Sequence, residues 1–152
     1  MVTQCGIEAN SKKIWALIEM QYPWAKKDVQ WLTNCAATLS RFILKSAKKY
    51  HPFFKILEKI NHFEWSEECR VAFDKLKHYL GSPLLLSKSM IGEDLYFCLS
   101  ISPIIVSSVL VWEDVGSQNL IYNTSKLLQD VEVKYSKVEK MICTPVATAW
   151  WL

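Results

Sequence analysis

The sequence predicts an α+β fold in which a helical unit is followed by a three-stranded antiparallel meander and a covering helix. Two observations predict this order of elements. Up to residue 80, apolar residues recur at intervals of three and four, which is the spacing of amphipathic helices. After Pro83 the sequence changes to runs of β-branched and apolar residues separated by short turns, a pattern typical of consecutive antiparallel strands.

Capping residues divide the first part of the chain into four predicted helices. Ser11 and Asp28 are suitable N-caps for the first two, because their side-chain oxygens can accept a hydrogen bond from a backbone amide of the first turn. Pro52 is expected to open a short third helix over residues 53–60, since proline is favoured in a first helical turn. Ser66 is expected to cap the fourth helix.

Three strands and one helix are expected in the second part of the chain. The strands are predicted at residues 95–101, 105–112 and 119–123, and the helix at about residues 135–152. The apolar residues of this helix share one face: Val138, Ile142, Val146 and Ala149. Pro145 lies inside the helix and is expected to kink or end it, because an interior proline costs about 3 kcal/mol.

The composition excludes several classes of protein. With 152 residues, of which 51% are hydrophobic, the chain can bury one sizeable core or two small ones that share an interface. No apolar run approaches the roughly 20 residues of a membrane span, and the first ten residues do not resemble a signal peptide. We therefore expect an intracellular protein, cytoplasmic or nuclear, that is not secreted and has no membrane partner. The five cysteines are scattered without a C-x-x-C motif, so no metal site is expected.

Charge is distributed unevenly along the chain. Residues 1–60 contain ten Lys/Arg and four Asp/Glu, a balance of +6, whereas residues 61–152 contain eight and eleven, a balance of −3. The basic part is the better candidate for contacts with phosphates, and Lys45, Lys48 and Lys49 are its candidate nucleic-acid-binding residues. Lysines on an exposed helix more often only keep it solvated, so charge alone does not favour binding.

A series of short motifs extends through nearly the whole chain. In order, they are GIEAN at residues 6–10, PFFKIL at 52–57, FEWS at 63–66, AFDKLK at 72–77, PLL at 83–85, YNTSKLL at 122–128 and YSKVEK at 135–140. This series resembles the pol polyprotein of gypsy-type LTR retrotransposons, in the segment that follows the palm of the reverse transcriptase. The resemblance implies that the chain is a fragment of such a polyprotein.

The resemblance also implies two domains and a set of partners. Residues 1–60 are similar to the thumb of the reverse transcriptase, a helical unit that grips template and primer. Residues 61–152 are similar to an RNase H-like domain that is truncated at its C-terminus. The sequence contains no Asp-Asp pair of a polymerase active site. The partners implied are RNA/DNA hybrid or duplex nucleic acid, bound weakly, and the remainder of the pol polyprotein.

Catalysis in this family depends on carboxylates that two positions of this chain lack. The RNase H domain of the family holds Mg²⁺ with acidic side chains. By the resemblance, Ser100 stands at the first metal-binding aspartate, in the family's DAS motif, and Met141 at the second carboxylate, in its EKE motif. A neutral hydroxyl and a thioether are poor ligands for hard cations, so we expect no metal, no cofactor and no catalytic residue. Acids at the predicted strand ends are expected to cap turns: Glu93, Asp94, Glu113 and Asp114.

Tryptophan and cysteine stand at several positions where the family pattern has arginine: Cys5, Trp15, Trp24, Cys35, Trp112 and Trp150. A C-to-T change in a CGN arginine codon produces these two residues, which indicates a decayed copy of the element.

These observations favour a non-catalytic fragment of a reverse transcriptase/RNase H polyprotein with, at most, weak and sequence-independent binding of RNA or DNA. Two alternatives remain open. One is an active RNase H or reverse transcriptase subunit that cleaves RNA in RNA–DNA hybrids, which would require the missing carboxylates. The other is a domesticated protein-interaction module that exposes its apolar sheet edge to a partner.

Overall fold

Helices make up most of the first half of the chain and strands most of the second, in the residues that the computed structural model describes, 2–3, 6–59 and 62–151. The helices are α1 (Ser11–Glu19), α2 (Lys26–Leu39), α3 (Ser46–Glu58), α4 (Glu67–Leu80) and α5 (Lys137–Trp151). The strands are β1 (Val2–Thr3), β2 (Gly6–Glu8), β3 (Leu85–Ser87), β4 (Leu95–Ile101), β5 (Ile105–Asp114) and β6 (Ser117–Leu127). Short 3-10 turns cover Ser40–Phe42 and Glu132–Lys134.

This order confirms the predicted α+β fold, in which a three-stranded antiparallel sheet follows a helical unit and precedes a helix. The ends predicted for the third and last helices, residues 60 and 152, lie outside the described residues. No helix in the described ranges combines the length and the hydropathy of a membrane span.

The first two helices begin at caps other than those predicted. Asn10, not Ser11, is the N-cap of α1, because its side-chain oxygen accepts from the amide two residues later at 3.0 Å. The N-cap of α2 is Ala25, and the carboxylate of Asp28 accepts from the amides of Trp24 and Ala25, both at 3.0 Å. Asp28 therefore caps the helix from inside its first turn, where a negative charge also suits the helix dipole.

Helix α3 is longer than predicted, whereas α4 begins where the sequence placed it. Lys45 precedes α3 in a left-handed conformation with φ 54°, and Pro52 lies in the interior of the helix instead of opening it. Both Pro52 and Phe53 are buried, so their packing in the core offsets the missing amide hydrogen bond. In α4 the hydroxyl of Ser66 accepts from the amide of Cys69 at 3.3 Å, which confirms the predicted cap.

One hydrophobic core holds α1 to α4 together. Phe53 of α3 and Phe73 of α4 are almost completely buried. Trp65 stacks on Phe53 with the ring centroids 5.8 Å apart and meets Phe73 edge-on, also at 5.8 Å. Aromatic pairs of this kind contribute roughly 0.5–1.5 kcal/mol each beyond the area that they bury. The motifs PFFKIL, FEWS and AFDKLK therefore each supply an aromatic ring to the same core.

The same core extends past the predicted domain boundary. Leu80 of α4 and Leu86 of β3 belong to it, and β3 pairs with β2 in antiparallel register. Gly6 has φ +146°, and a Cβ at this position would lie 2.0 Å from the carbonyl oxygen of Leu86, so the close pairing requires glycine. The division into residues 1–60 and 61–152 stays a prediction: α4 and β3 pack on the preceding helices, and the two residues at the boundary lie outside the described ranges.

The strands β4, β5 and β6 form an antiparallel sheet in that order. β4 has the predicted bounds, β5 extends two residues further than predicted, and β6 is longer at both ends than the predicted residues 119–123. A register shift at Leu110 and Val111 marks a bulge in the pairing of β5 with β6. Within the described residues β4 pairs on one side only, and most of its side chains are exposed, so its other edge is open.

Two side chains of β6 attach this sheet to the helical unit. The amide nitrogen of Asn123, a residue that is 1% exposed, donates to the carbonyl of Ile43 at 2.8 Å and to a carbonyl of the preceding 3-10 turn at 3.2 Å. The hydroxyl of Ser125 accepts from the amide of Ala47 at 3.2 Å and lies 2.8 Å from the hydroxyl of Ser107 on β5. The YNTSKLL motif therefore supplies the hydrogen bonds that position the sheet on the start of α3.

Helix α5 presents a polar face to the other side of the sheet. Its buried residues among those described are Lys140, Thr144 and Thr148, which lie one turn apart. The hydroxyl of Thr148 lies 2.8 Å from that of Ser108 on β5, and the ammonium of Lys140 donates to the carbonyl of Pro103 at 2.8 Å. Each of these three buried side chains of α5 thus has a hydrogen-bond partner, which is the condition for burying a polar group at low cost.

The apolar face predicted for α5 is directed to solvent. Val138, Ile142 and Val146 are each more than half exposed, and Ala149 is exposed as well. The hydrogen bonds of the opposite face fix this orientation. The helix also continues through Pro145, so the proline does not end it. Two threonine hydroxyls, one on each side of the proline in sequence, bond to carbonyls one turn earlier.

Replacing Asn123 by alanine is expected to lower the free energy of unfolding by about 1–3 kcal/mol, because the carbonyls of Ser40 and Ile43 would lose the hydrogen bonds from its side-chain amide. Urea unfolding followed by circular dichroism measures the change. Asn119, on the same strand, has a partly exposed side chain. Asn119→Ala is the matched control, with an expected change within about 0.5 kcal/mol. Equal effects of the two substitutions would show that the Asn123 hydrogen bonds do not hold the sheet.

Candidate nucleic-acid interface

The lysine cluster predicted from the sequence lies at the start of α3. Lys45 is the N-cap, with φ 54° and ψ 40°, and Lys48 lies in the first turn. Both side chains are exposed, and neither ammonium group has a hydrogen-bond or ion-pair partner among the described residues. The two charges stand at the positive end of the α3 dipole, so this surface favours an anion.

Lys49 differs from its two neighbours. Its side chain is half-buried, its ammonium donates to the carbonyl of Leu44, and it lies 4.2 Å from the centre of the Tyr79 ring. Burial, and then the charge of Lys45, lower the pKa of Lys49. Lys49, in the first turn of α3, therefore packs on Tyr79 and bonds back to the turn before the helix.

A cleft separates the start of α3 from β4 and β5. Lys45, Lys48 and His51 form one wall, and Ser100 and Ser107 form part of the other. The cleft encloses about 500 Å³ and is bounded at one end by the turn between the two strands. The sequence singled out Ser100 as the position of a lost acid, but it did not indicate that Ser107 or His51 lies beside it. Ser100 in β4 and Ser102 just after it are two residues apart, which is the spacing of one face of a strand, but nothing in the sequence indicated which helix faces them.

The structure places Ser100 and Met141 on different sides of the sheet. Ser100 lines the cleft beside α3, opposite Ser107 in the pairing of β4 with β5. Met141 belongs to α5, which packs on the other face through the contact between Ser108 and Thr148. Neither residue supplies a carboxylate, so the two positions that the resemblance assigns to metal binding do not form a cation site.

Two of the acids at the strand ends are used in local hydrogen bonds. The carboxylate of Glu93 accepts from the amide of Met90 at 2.9 Å, and that of Glu113 accepts from the side-chain amide of Gln118 at 2.8 Å. Among the residues that the structure describes, no group of three or more His, Cys, Asp or Glu side chains is close enough to hold a metal ion. The side chains present therefore do not fit the two Mg²⁺ ions that the family uses.

Glu139, the acid that remains in the YSKVEK motif, caps α5. Its carboxylate accepts from the amide of Ser136 at 2.6 Å, and the hydroxyl of Ser136 accepts from the amide of Glu139 at 3.3 Å. This reciprocal pair is a capping box. The backbone and side-chain hydrogen bonds from Ser136 hold the pKa of Glu139 below its ordinary value. Glu139, two residues before Met141, therefore stabilises the start of α5.

The family of RNase H-like domains found in reverse transcriptase matches residues 65–150, which is more than half of the chain. The chain belongs to this family. No curated protein matches the sequence.

Solved structures with a similar fold include foamy viral protease-reverse transcriptases. One is in complex with an RNA/DNA hybrid (TM-score 0.74, 18% identity, covering 97% of this chain and 20% of that chain). Another is in complex with dsDNA (TM-score 0.73, 18% identity, covering 97% of this chain and 31% of that chain). At this identity the likeness concerns the fold. The chain spans less than a third of the length of either protein.

The capping box leads to a prediction about acid stability. Because the folded state lowers the pKa of Glu139, its contribution is present above the ordinary value of 4.5 and is lost as the pH falls through the lowered folded pKa. Glu139→Gln is therefore expected to lower the urea midpoint at pH 7, with a difference from the unchanged protein that shrinks below pH 4.5. The exposed Glu64→Gln is the control. A difference independent of pH would mean that the charge of Glu139 does not stabilise α5.

Proposed function

We propose that this chain is a non-catalytic part of a reverse transcriptase, from a gypsy-type retrotransposon, that binds nucleic acid weakly and without sequence preference. The observation that carries the proposal is the cleft beside α3. One wall has two lysines that find no partner among the described residues, and the other has a serine in place of an acid. Such a surface attracts phosphates and lacks the groups that would cleave them.

The absence of catalysis rests on donor chemistry. Phosphodiester hydrolysis by two metal ions requires carboxylates that hold both ions close together. Ser100 and Met141 offer a hydroxyl and a thioether on different sides of the sheet, and Glu139 is engaged in the capping box. No cofactor is therefore expected to bind at these positions.

The shape of the ligand is suggested by the shared fold. The foamy viral proteins with a similar fold bind an RNA/DNA hybrid or dsDNA in their structures. Contacts from lysines to phosphates do not distinguish bases, so we propose that duplexes of any sequence bind equally. Because the chain spans 20% and 31% of those two proteins, we propose that it acts together with the remainder of a pol polyprotein. In that setting residues 1–60 would be the thumb-like segment.

The first prediction of this proposal is that the purified chain does not cleave RNA in an RNA/DNA hybrid. Incubation with Mg²⁺ or Mn²⁺ and gel analysis of a labelled RNA strand is expected to give no product above a blank without protein, because the carboxylates are missing. Cleavage that is lost in Asp94→Asn or Asp114→Asn but kept in Glu64→Gln would contradict the proposal and support an active RNase H.

The second prediction concerns salt. Fluorescence anisotropy with a labelled duplex is expected to show binding that weakens steeply with salt, with a slope of log K against log[salt] of about −0.9 for each phosphate contact. Lys45→Gln and Lys48→Gln should each reduce the magnitude of the slope by about 0.9. The exposed Lys134→Gln, in the acidic part of the chain, should leave it unchanged. Binding that prefers one duplex sequence and persists at about 0.2 M salt would contradict a phosphate-based interface.

A further inference from the structure

We infer that the cleft between α3 and β4 binds one phosphodiester group of a nucleic-acid strand, and that the neutral side chain of Ser100 is the residue that permits this. The inference rests on the proposed nucleic-acid binding and adds the position of the contact and the residue that controls it. It assigns Ser100 a role in binding, at a position where the family resemblance would place a metal-binding acid.

The lining of the cleft carries a net positive charge. Lys45 and Lys48 bring two positive charges to it, and no Asp or Glu is among the residues that line it. Glu68 lines the neighbouring groove, which Lys45 and Lys48 also line, but it does not line the cleft. The cleft thus has an uncompensated positive charge that a phosphodiester would neutralise.

The opposite wall of the cleft presents three serine hydroxyl groups. The hydroxyl of Ser102 is bonded to the backbone of Ile105 at 2.9 Å, and that of Ser107 is bonded to Ser125 at 2.8 Å. The hydroxyl of Ser100 has no hydrogen-bond partner among the described residues. Ser100 therefore has a donor available to a phosphate oxygen, across the cleft from the lysines.

An aspartate at residue 100 would have the opposite effect. A carboxylate in this wall would face Lys45 and Lys48 across the cleft, neutralise part of their charge and repel a phosphodiester. Serine keeps the size of the side chain small and removes the negative charge. The neutral serine thus leaves the full positive charge of the two lysines available to an anion.

A charge series at residue 100 tests this inference. Ser100→Asp, Ser100→Asn and Ser100→Lys are compared with the unchanged chain by anisotropy with one labelled RNA/DNA hybrid at low salt. Aspartate is expected to weaken binding at least fivefold and to reduce the magnitude of the salt slope by about 0.9, since one phosphate contact is lost. Asparagine should change affinity less than twofold. Lysine should strengthen binding and steepen the slope. Circular dichroism checks that each variant is folded.

The outcomes separate this inference from the proposal on which it rests. If the unchanged chain binds no hybrid or duplex, the proposed function fails and the inference fails with it. If the unchanged chain binds and Lys48→Gln weakens it, but aspartate, asparagine and lysine at residue 100 all bind alike, only the inference is overturned. If aspartate does not fold, the lysine variant decides: tighter binding supports the cleft as the phosphate site, and unchanged affinity rejects it.

Discussion

The hydrogen bonds of Asn123 determine how the two halves of the structure meet. Its buried amide joins β6 to the backbone just before α3, within two residues of the left-handed Lys45. Apolar packing alone has little directional preference, whereas a buried amide with two carbonyl acceptors accepts few orientations. The wall of serines therefore faces Lys48 because Asn123 fixes the sheet there. The position of the cleft walls therefore depends on the hydrogen bonds of Asn123, a residue that does not line the cleft.

Most helices and strands could be predicted from the sequence, because the patterns that specify them involve only neighbouring residues. Strand β4 has its predicted bounds and Ser66 caps α4 as expected, since alternation and capping involve only neighbouring residues. The orientation of α5 could not be predicted, because it depends on the contact of Thr148 with Ser108, a residue of β5. The same holds for the candidate site. The sequence grouped Lys49 with Lys48, but Tyr79, a residue of α4, draws Lys49 away from the cleft.

Three of the tryptophans that the resemblance places at arginine positions lie on the surface. Trp15, Trp24 and Trp150 are 60%, 83% and 87% exposed, so none of these rings fills the core. A long, charged side chain such as arginine would be solvated at the same positions without a change in packing. Cys35 is half-buried, and burial raises the pKa of its thiol. Cys5 lies outside the described residues.

The polar contact between α5 and the sheet has a consequence for how the protein opens. Helix α4 buries Phe73 and Leu76, and its detachment exposes a large apolar surface to water. Detachment of α5 exposes Thr144 and Thr148, which exchange their hydrogen bonds for equivalent ones with water, and the smaller apolar surface of Val106 and Leu128. We therefore expect α5 to detach from the sheet more easily than α4 detaches from the helical core. Its backbone amides would then exchange through a sub-global opening while the helical core stays closed.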